Sequence, residues 1–392
     1  MQPIEKLYRA GEGVLRLAPT WVPRVFCRPG RRLRLHPDDY YALGMSRGGI
    51  DERWFASTVQ ADNGPGTPED EGLSYIVSDD GSERVLLRDA VAYLGAELIG
   101  PLWDTFHRWP AYAKFFDNAG PLPHHIHHND DFAARVGACG KPEMYFYPAQ
   151  YNPTGGEFPF SFFGLRPETT REELRQALMD FTRGDNHILD LSVGYKLTLD
   201  TGWDIAPGIL HAPGSLCTYE PQFASDVFAM YQSLLYFDHT VPSDLLWKNC
   251  PPEEVGNFDY LMDAVDWDAN TDPYFSKHHF MRPRILTSDA AHTDEAICYL
   301  SPVAGAKRLT VNPGCAAAVT DPGAYGLICV QGHGSINGRP LEAPTMMRYG
   351  QLTYDEYFVA APAAEKGVMF KNNSPSEPLV ILKHFAQSLR NV

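Results

Sequence analysis

Along most of the chain apolar and polar residues alternate in short runs separated by proline or glycine. The 32 prolines and 33 glycines are spread evenly and leave little room for long helices, so the rhythm predicts a β-rich fold with many turns. The clearest strands are KPEMYFYPAQ at 141–150 and YGLICVQGHGSING at 325–338, while VMFKNNSPSEPLVILKHF at 368–385 reads as two strands joined by a polar turn. Helices are few. TTREELRQALMDF, 169–181, carries a capping box in Thr170 and Glu173, followed by Leu174, Leu178 and Phe181 at helical spacing. A second helix is predicted through PPEEVGNFDYLMDAV, 251–265, opened by Pro252, with Val255, Phe258, Leu261, Met262 and Val265 as one apolar stripe.

Two stretches share one local grammar. KLTLDTGWDIAPGILHAPGS, 196–215, reads as strand, tight turn, short strand, Pro-Gly turn and then a histidine. TYDEYFVAAPAAEKGVMFKNNSP, 353–375, repeats the rhythm but sets Val368 or its neighbours where the first has His211. This predicts an all-β dominated chain of two antiparallel sandwich barrels with a few helices. The expected division is a catalytic unit over 1–240 with a short helical insertion at about 167–183, a helical and irregular connector over 241–295, and a second barrel without metal over 296–392.

Charge narrows the partners. Thirty-three basic residues face 49 acidic ones, a net charge of −16, which repels phosphate backbones and anionic lipid. No run approaches the ~20 apolar residues needed to cross a bilayer. The N-terminal MQPIEKLYRAGEGVLRL lacks an apolar segment and a cleavage site, which argues against secretion. The seven cysteines (Cys27, Cys139, Cys217, Cys250, Cys298, Cys315, Cys329) are odd in number and scattered, as expected of reduced thiols in a cytoplasmic protein.

The densest chemistry is PLPHHIHHND, 121–130, with four histidines in five positions. In an extended segment alternate side chains share a face, so His125 and His127 point one way and His124 and His128 the other. Two imidazoles on one face make half of a metal site. Glu143, on the next strong strand, and His211, after the Pro-Gly turn, can complete it. Three imidazoles and a carboxylate suit one divalent metal ion, zinc first, with iron, manganese or nickel as alternatives. His124 and His128 read as solvated or packed side chains that at most support the site.

These residues resemble the cupins and, among them, the type I mannose-6-phosphate isomerases. PLPHHIHHND resembles that family's PLS-x-QVHPDD, GKPEMYFY at 140–147 its K-[PT]-E strand, and PGILHAPG at 207–214 its AG-x-x-HA turn. WPAYAKFFDNAGPLP resembles F-K-x-L-D-x-x-x-PLS, TYEPQFASDVFAMY at 218–231 resembles E-I-Q-x-x-SD-x-T-Y-R, and ERWFASTVQADNG at 52–64 resembles the E-x-W-x-x-S opening. The resemblance implies two jelly-roll cupin barrels and an aldose–ketose isomerase that moves a proton through an enediolate. It also implies Lys141, Lys114 and Glu220 as catalytic groups, and Gln222 and Asp226 at substrate-contacting positions. Tyr145 is in phase with Lys141 and Glu143 and can line the same pocket. The implied partner is a small carbohydrate, handled by a monomer or homodimer. Three departures bear on the substrate: His125 replaces a glutamine, Pro123 replaces a serine, and Met230 replaces an arginine. Losing a hydroxyl and a guanidinium weakens any grip on a phosphate dianion, which points to an unphosphorylated sugar or a different polyol-like acid. The competing readings are another metal-dependent cupin enzyme, such as an Fe(II) dioxygenase, and a non-catalytic carbohydrate-binding cupin.

Overall fold

A computed structural model describes residues 2–153, 159–236 and 238–392. Four larger antiparallel sheets pair up as two barrels. The first barrel joins a seven-stranded sheet, in the order Phe280–Met281, Gly202–Ile205, Glu143–Phe146, Thr218–Phe223, Ala111–Phe116, Gly49–Phe55 and Thr20–Arg24, to a five-stranded one. The five run Ser192–Lys196, Phe160–Leu165, His211–Ala212, His125–Ile126 and Ala229–Met230. In the second barrel a seven-stranded sheet containing Gly305–Val311, Tyr325–Gln331 and Leu379–Phe385 faces a four-stranded one. Its outer strands include Val14–Arg16 and Arg284–Ser288, which come from either side of the first barrel in the chain. This is the sheet-dominated, two-barrel architecture expected from the alternation.

Period-two alternation decides what each sheet face does. In Glu143–Phe146, Met144 and Phe146 turn outward and join Phe115, Tyr219, Ile328, Val330, Val380 and Leu382 in one buried apolar cluster. The two seven-stranded sheets thus pack back to back, and each fully buried Phe or Leu contributes about 1.5–3 kcal/mol. The alternate positions, Glu143, Tyr145, Lys114, Glu220 and Glu52, are left facing the interior of the first barrel. An ionic clamp reinforces the seam: Arg53 reaches Asp355 at 2.8 and 2.9 Å and Glu356 at 3.3 Å, all buried. Inside the second barrel Lys307 and Lys383 are direct cross-strand neighbours. They are held by Asp321, 2.8 Å from each, with Asp294 beside Lys307 at 3.2 Å.

The capping-box helix forms as predicted, Arg171–Met179, with Thr170 accepting from the Glu173 N–H and Glu173 accepting from the Thr170 N–H. The predicted helix over 251–265 is overturned. Pro252–Glu254 makes one 3-10 turn, Val255 is extended and exposed, and a separate helix spans Phe258–Asp263. Gly256 adopts φ +91° and Asn257 caps the new helix through the Asp259 N–H, so the backbone changes direction where the stripe assumed continuity. The strand predicted over 325–338 also divides, because Gly332 at φ +81° turns the chain from one sheet into the other. The short helices Pro3–Ala10 and Leu87–Leu94 went unread in the sequence. Among the described residues no helix is long and apolar enough to cross a membrane.

Candidate metal centre

The four histidines of 124–128 are all buried, so the segment is no solvated loop. Only His125–Ile126 is regular strand, and it runs antiparallel to His211–Ala212 with His125 directly opposite His211. That pairing and the extended chain on to residue 127 bring three imidazoles together. Their ring centroids are 4.1 Å apart for His125 and His211, 5.0 Å for His125 and His127, and 5.1 Å for His127 and His211. Their ligand atoms all lie within 4.8 Å of one another.

The backbone sets the tautomer of each ring. His125 Nδ1 lies 2.6 Å from the Pro123 carbonyl, His127 Nδ1 2.8 Å from that of Val227, and His211 Nδ1 2.9 Å from that of Ile209. A carbonyl only accepts, so each Nδ1 carries the proton and each Nε2 presents a lone pair. Glu143 closes the group, with one carboxylate oxygen 3.0 Å from His127 Nε2 and the other 3.1 Å from His211 Nε2. His211 Nε2 and Glu143 Oε2 have no aligned hydrogen-bond donor. Lone pairs crowded against a carboxylate repel unless a cation lies among them, so this donor set fits a divalent metal ion. Burial, with the neighbouring imidazoles, pushes His125 well below the usual histidine range. Burial also takes His127 down to about 4, against the pull of Glu143. For Glu143 burial favours the neutral acid, yet His127 and Lys141 outweigh it and hold the carboxyl well below its usual range.

From Glu143 a line of buried alternating charges runs along the barrel wall. Lys141, which precedes the strand, reaches Glu143 at 2.9 Å, Glu220 at 3.5 Å and His127 Nε2 at 3.2 Å. Lys114 lies 3.3 Å from Glu220 and 3.3 Å from Glu52, and Glu52 meets Arg24 at 3.1 Å. Arg24 pairs in turn with Asp226 at 3.2 Å. Burial and the charge of Glu143 push Glu220 up to about 8, against Lys114 and Lys141. Lys114 is raised because Glu220 and Glu52 together outweigh the effect of its burial.

The structure therefore brings His125, His127, His211, Glu143, Lys141, Lys114 and Glu220 into one network. The other three sequence-selected residues sit differently. The Tyr145 hydroxyl donates to Glu143 Oε1 at 2.6 Å. Gln222 lies across the ladder from Glu143 and gives its amide N–H to the Ser225 carbonyl at 3.3 Å. Asp226 is tied to Arg24 and borders a cleft of about 240 Å³ with Gln60, Arg108 and Asn249. A larger cleft, about 640 Å³, lies at Arg34, Gln331 and His333, lined by none of these residues. His124 gives its Nε2 proton to Ser192, whose own hydroxyl is spent on the Gly164 carbonyl. The sequence reading missed Arg24, whose role depends on a strand remote in the chain. Glu52, within ERWFAS, is a second such residue, and alternation from Trp54 places it on the interior face beside Lys114.

No protein-family model matches the chain, and no curated protein matches it by sequence. Solved structures do match. Mannose 6-phosphate isomerase from Bacillus subtilis superimposes with a TM-score of 0.65 at 14% identity, covering 95% of this chain and 99% of that one. A zinc-bound mannose 6-phosphate isomerase gives 0.63 at 13% identity over 96% of this chain and 100% of that one. A phosphomannose isomerase variant from Salmonella typhimurium gives 0.62 at 13% identity with the same coverage. The chain thus has the fold of these enzymes over nearly its whole length.

Proposed function

We propose that this chain is a metal-dependent aldose–ketose isomerase acting on a small, unphosphorylated sugar. The observation that carries the reading is the convergence of the His125, His127 and His211 imidazoles, with Glu143 against the Nε2 atoms of His127 and His211 and with Lys141 and Glu220 within reach on the same wall. His125, His127, His211 and Glu143 would hold the metal, zinc first. When bound, a divalent cation supplies Lewis-acid polarisation of the substrate's carbonyl and hydroxyl oxygens. Glu220, poised near neutrality, takes the proton from C2 of the aldose and returns it to C1, while Lys141 moves the hydroxyl proton between the two oxygens. Lys114 orients Glu220, and Tyr145 orients Glu143. Gln222, across the ladder from Glu143 with its Oε1 unpartnered among the described residues, faces a remaining hydroxyl, while Asp226 acts at one remove by holding Arg24. The first barrel does this chemistry; it gives up Val14–Arg16 of the expected 1–240 unit to the second barrel and takes Phe280–Met281 from the expected connector, and the second barrel serves as its scaffold.

The unphosphorylated substrate follows from charge. Arg24, Lys114 and Lys141 are each already paired with carboxylates, and Pro123 and Met230 offer a phosphate nothing to hold. Elemental analysis of purified wild type beside His127→Ala is the test, followed by NMR of aldoses and ketoses in deuterated water. About one equivalent of divalent metal, lost in the variant, with deuterium entering C1 or C2 of an unphosphorylated sugar, is expected. No metal in either protein after addition of Zn²⁺, Mn²⁺ or Fe²⁺ would sink the reading. Turnover confined to phosphorylated sugars would overturn the substrate class alone.

A further inference from the structure

On the far side of the wall that carries the metal centre lies a buried carboxylate that accepts no hydrogen bond from the described residues. Asp204 sits on the strand Gly202–Ile205 directly opposite Met144, so it shares the outward face and points between the barrels rather than into the first one. Only 8% of the residue is exposed. Among the described residues no N–H or O–H donates to its carboxylate. Arg390 lines the same cleft, but its Nε is spent on the Leu300 carbonyl and it makes no ion pair with Asp204. His279 gives its Nδ1 proton to the Asp204 backbone carbonyl at 3.0 Å and stands 4.0 Å from the side chain. The Asp130 side chain, also at the cleft, accepts from the Gly140 N–H.

The cleft has a volume of about 320 Å³, within the range of small-molecule sites. Pro142, Ala206, Pro207, Phe223, Pro302 and Val303 give it apolar walls. A carboxylate removed from water is costly unless a cation or donors meet it, and apolar walls supply neither. Burial accordingly pushes Asp204 up to about 7, with Arg390 only partly opposing.

We propose that this cleft is a second binding site, for a small organic cation with an apolar body: an ammonium group on Asp204 and a hydrocarbon portion between Phe223, Pro302 and Val303. The site is separate from the metal centre and does not depend on the isomerase reading. Benzylamine and its uncharged counterpart benzyl alcohol are suitable probes, titrated by calorimetry into metal-loaded wild type, Asp204→Asn and His127→Ala. Saturable benzylamine binding is expected in wild type and equally in His127→Ala, at least about tenfold weaker in Asp204→Asn, with benzyl alcohol weaker than benzylamine only where Asp204 is intact. Val303→Trp, which fills the cleft without touching the carboxylate, gives the same loss and stands in should Asp204→Asn not fold. No saturation in wild type up to about 10 mM, equal affinity in the cleft variants, or loss in His127→Ala alone would overturn the proposal.

Discussion

Removing one oxygen atom tests whether Glu143 is a preorganised metal ligand. The Tyr145 hydroxyl donates to Glu143 Oε1 at 2.6 Å, while its ring packs against Phe116 at 5.5 Å and Phe163 at 6.2 Å. Tyr145→Phe deletes the hydrogen bond and keeps the packing. A hydrogen bond to an ionised acceptor contributes about 1.5–3 kcal/mol. Once it is gone, Oε1 faces only the His211 Nε2 lone pair at 3.1 Å, whereas Oε2 still has the Lys141 ammonium at 2.9 Å. The carboxylate can then swing toward Lys141 and away from the three imidazoles. Loss of such an orienting partner lowers metal affinity about 10- to 100-fold, or about 1.4–2.7 kcal/mol, which overlaps the hydrogen-bond value. Competition for Zn²⁺ between protein and a chelating dye measures it, with circular dichroism as the check on fold. An affinity within about twofold of wild type, in a correctly folded variant, would refute the reasoning.

Other outcomes follow from the same geometry. A chelator should remove about 2.7 kcal/mol of stability from wild type previously held at a free metal concentration about 100 times its Kd, and leave His211→Ala unmoved in scanning calorimetry. Arg53→Met strands Asp355 and Glu356 at the seam between the barrels and should cost about 3–5 kcal/mol in denaturant unfolding, with less than about 1 kcal/mol arguing against a clamp. Buried His384 is pushed down to about 3 by its burial, from an ordinary 6.5. Below pH 6.5 the unfolded chain binds a proton there that the folded protein refuses, so stability is lost as pH falls. His384→Gln should therefore gain on wild type by up to about 1.4 kcal/mol per pH unit toward pH 3, read from urea midpoints. A pH-independent difference would place the titration elsewhere.

Much of the metal centre was legible because its signals are local. His125 and His127 are two residues apart, and their shared face follows from extended backbone even though the regular strand ends at Ile126. Lys141, Glu143 and Tyr145 are in phase, and the capping box at Thr170 is a four-residue signal. The failures lie where one residue's backbone overrides a pattern: Gly256 divided the predicted helix and Gly332 the predicted strand, both at positive φ. A periodic stripe records which side chains can be buried and carries no information about a single turn in the middle of it.

Side-chain alternation, the histidine pair, its candidate partners and an excess of acid are properties of neighbouring residues, and the sequence by itself determined them. Pairing was decided only in three dimensions. Glu52 acquires meaning from Lys114 and Arg24, which reach it from two other strands, and His384 meets Tyr219 only because two sheets pack back to back. Asp204 reads in sequence as an ordinary strand aspartate, and its missing partner is visible only once the 301–303 segment and Arg390 have closed over it. Burial and charge pairing depend on distances between residues far apart along the chain, and those distances are fixed by long-range packing rather than by local spacing.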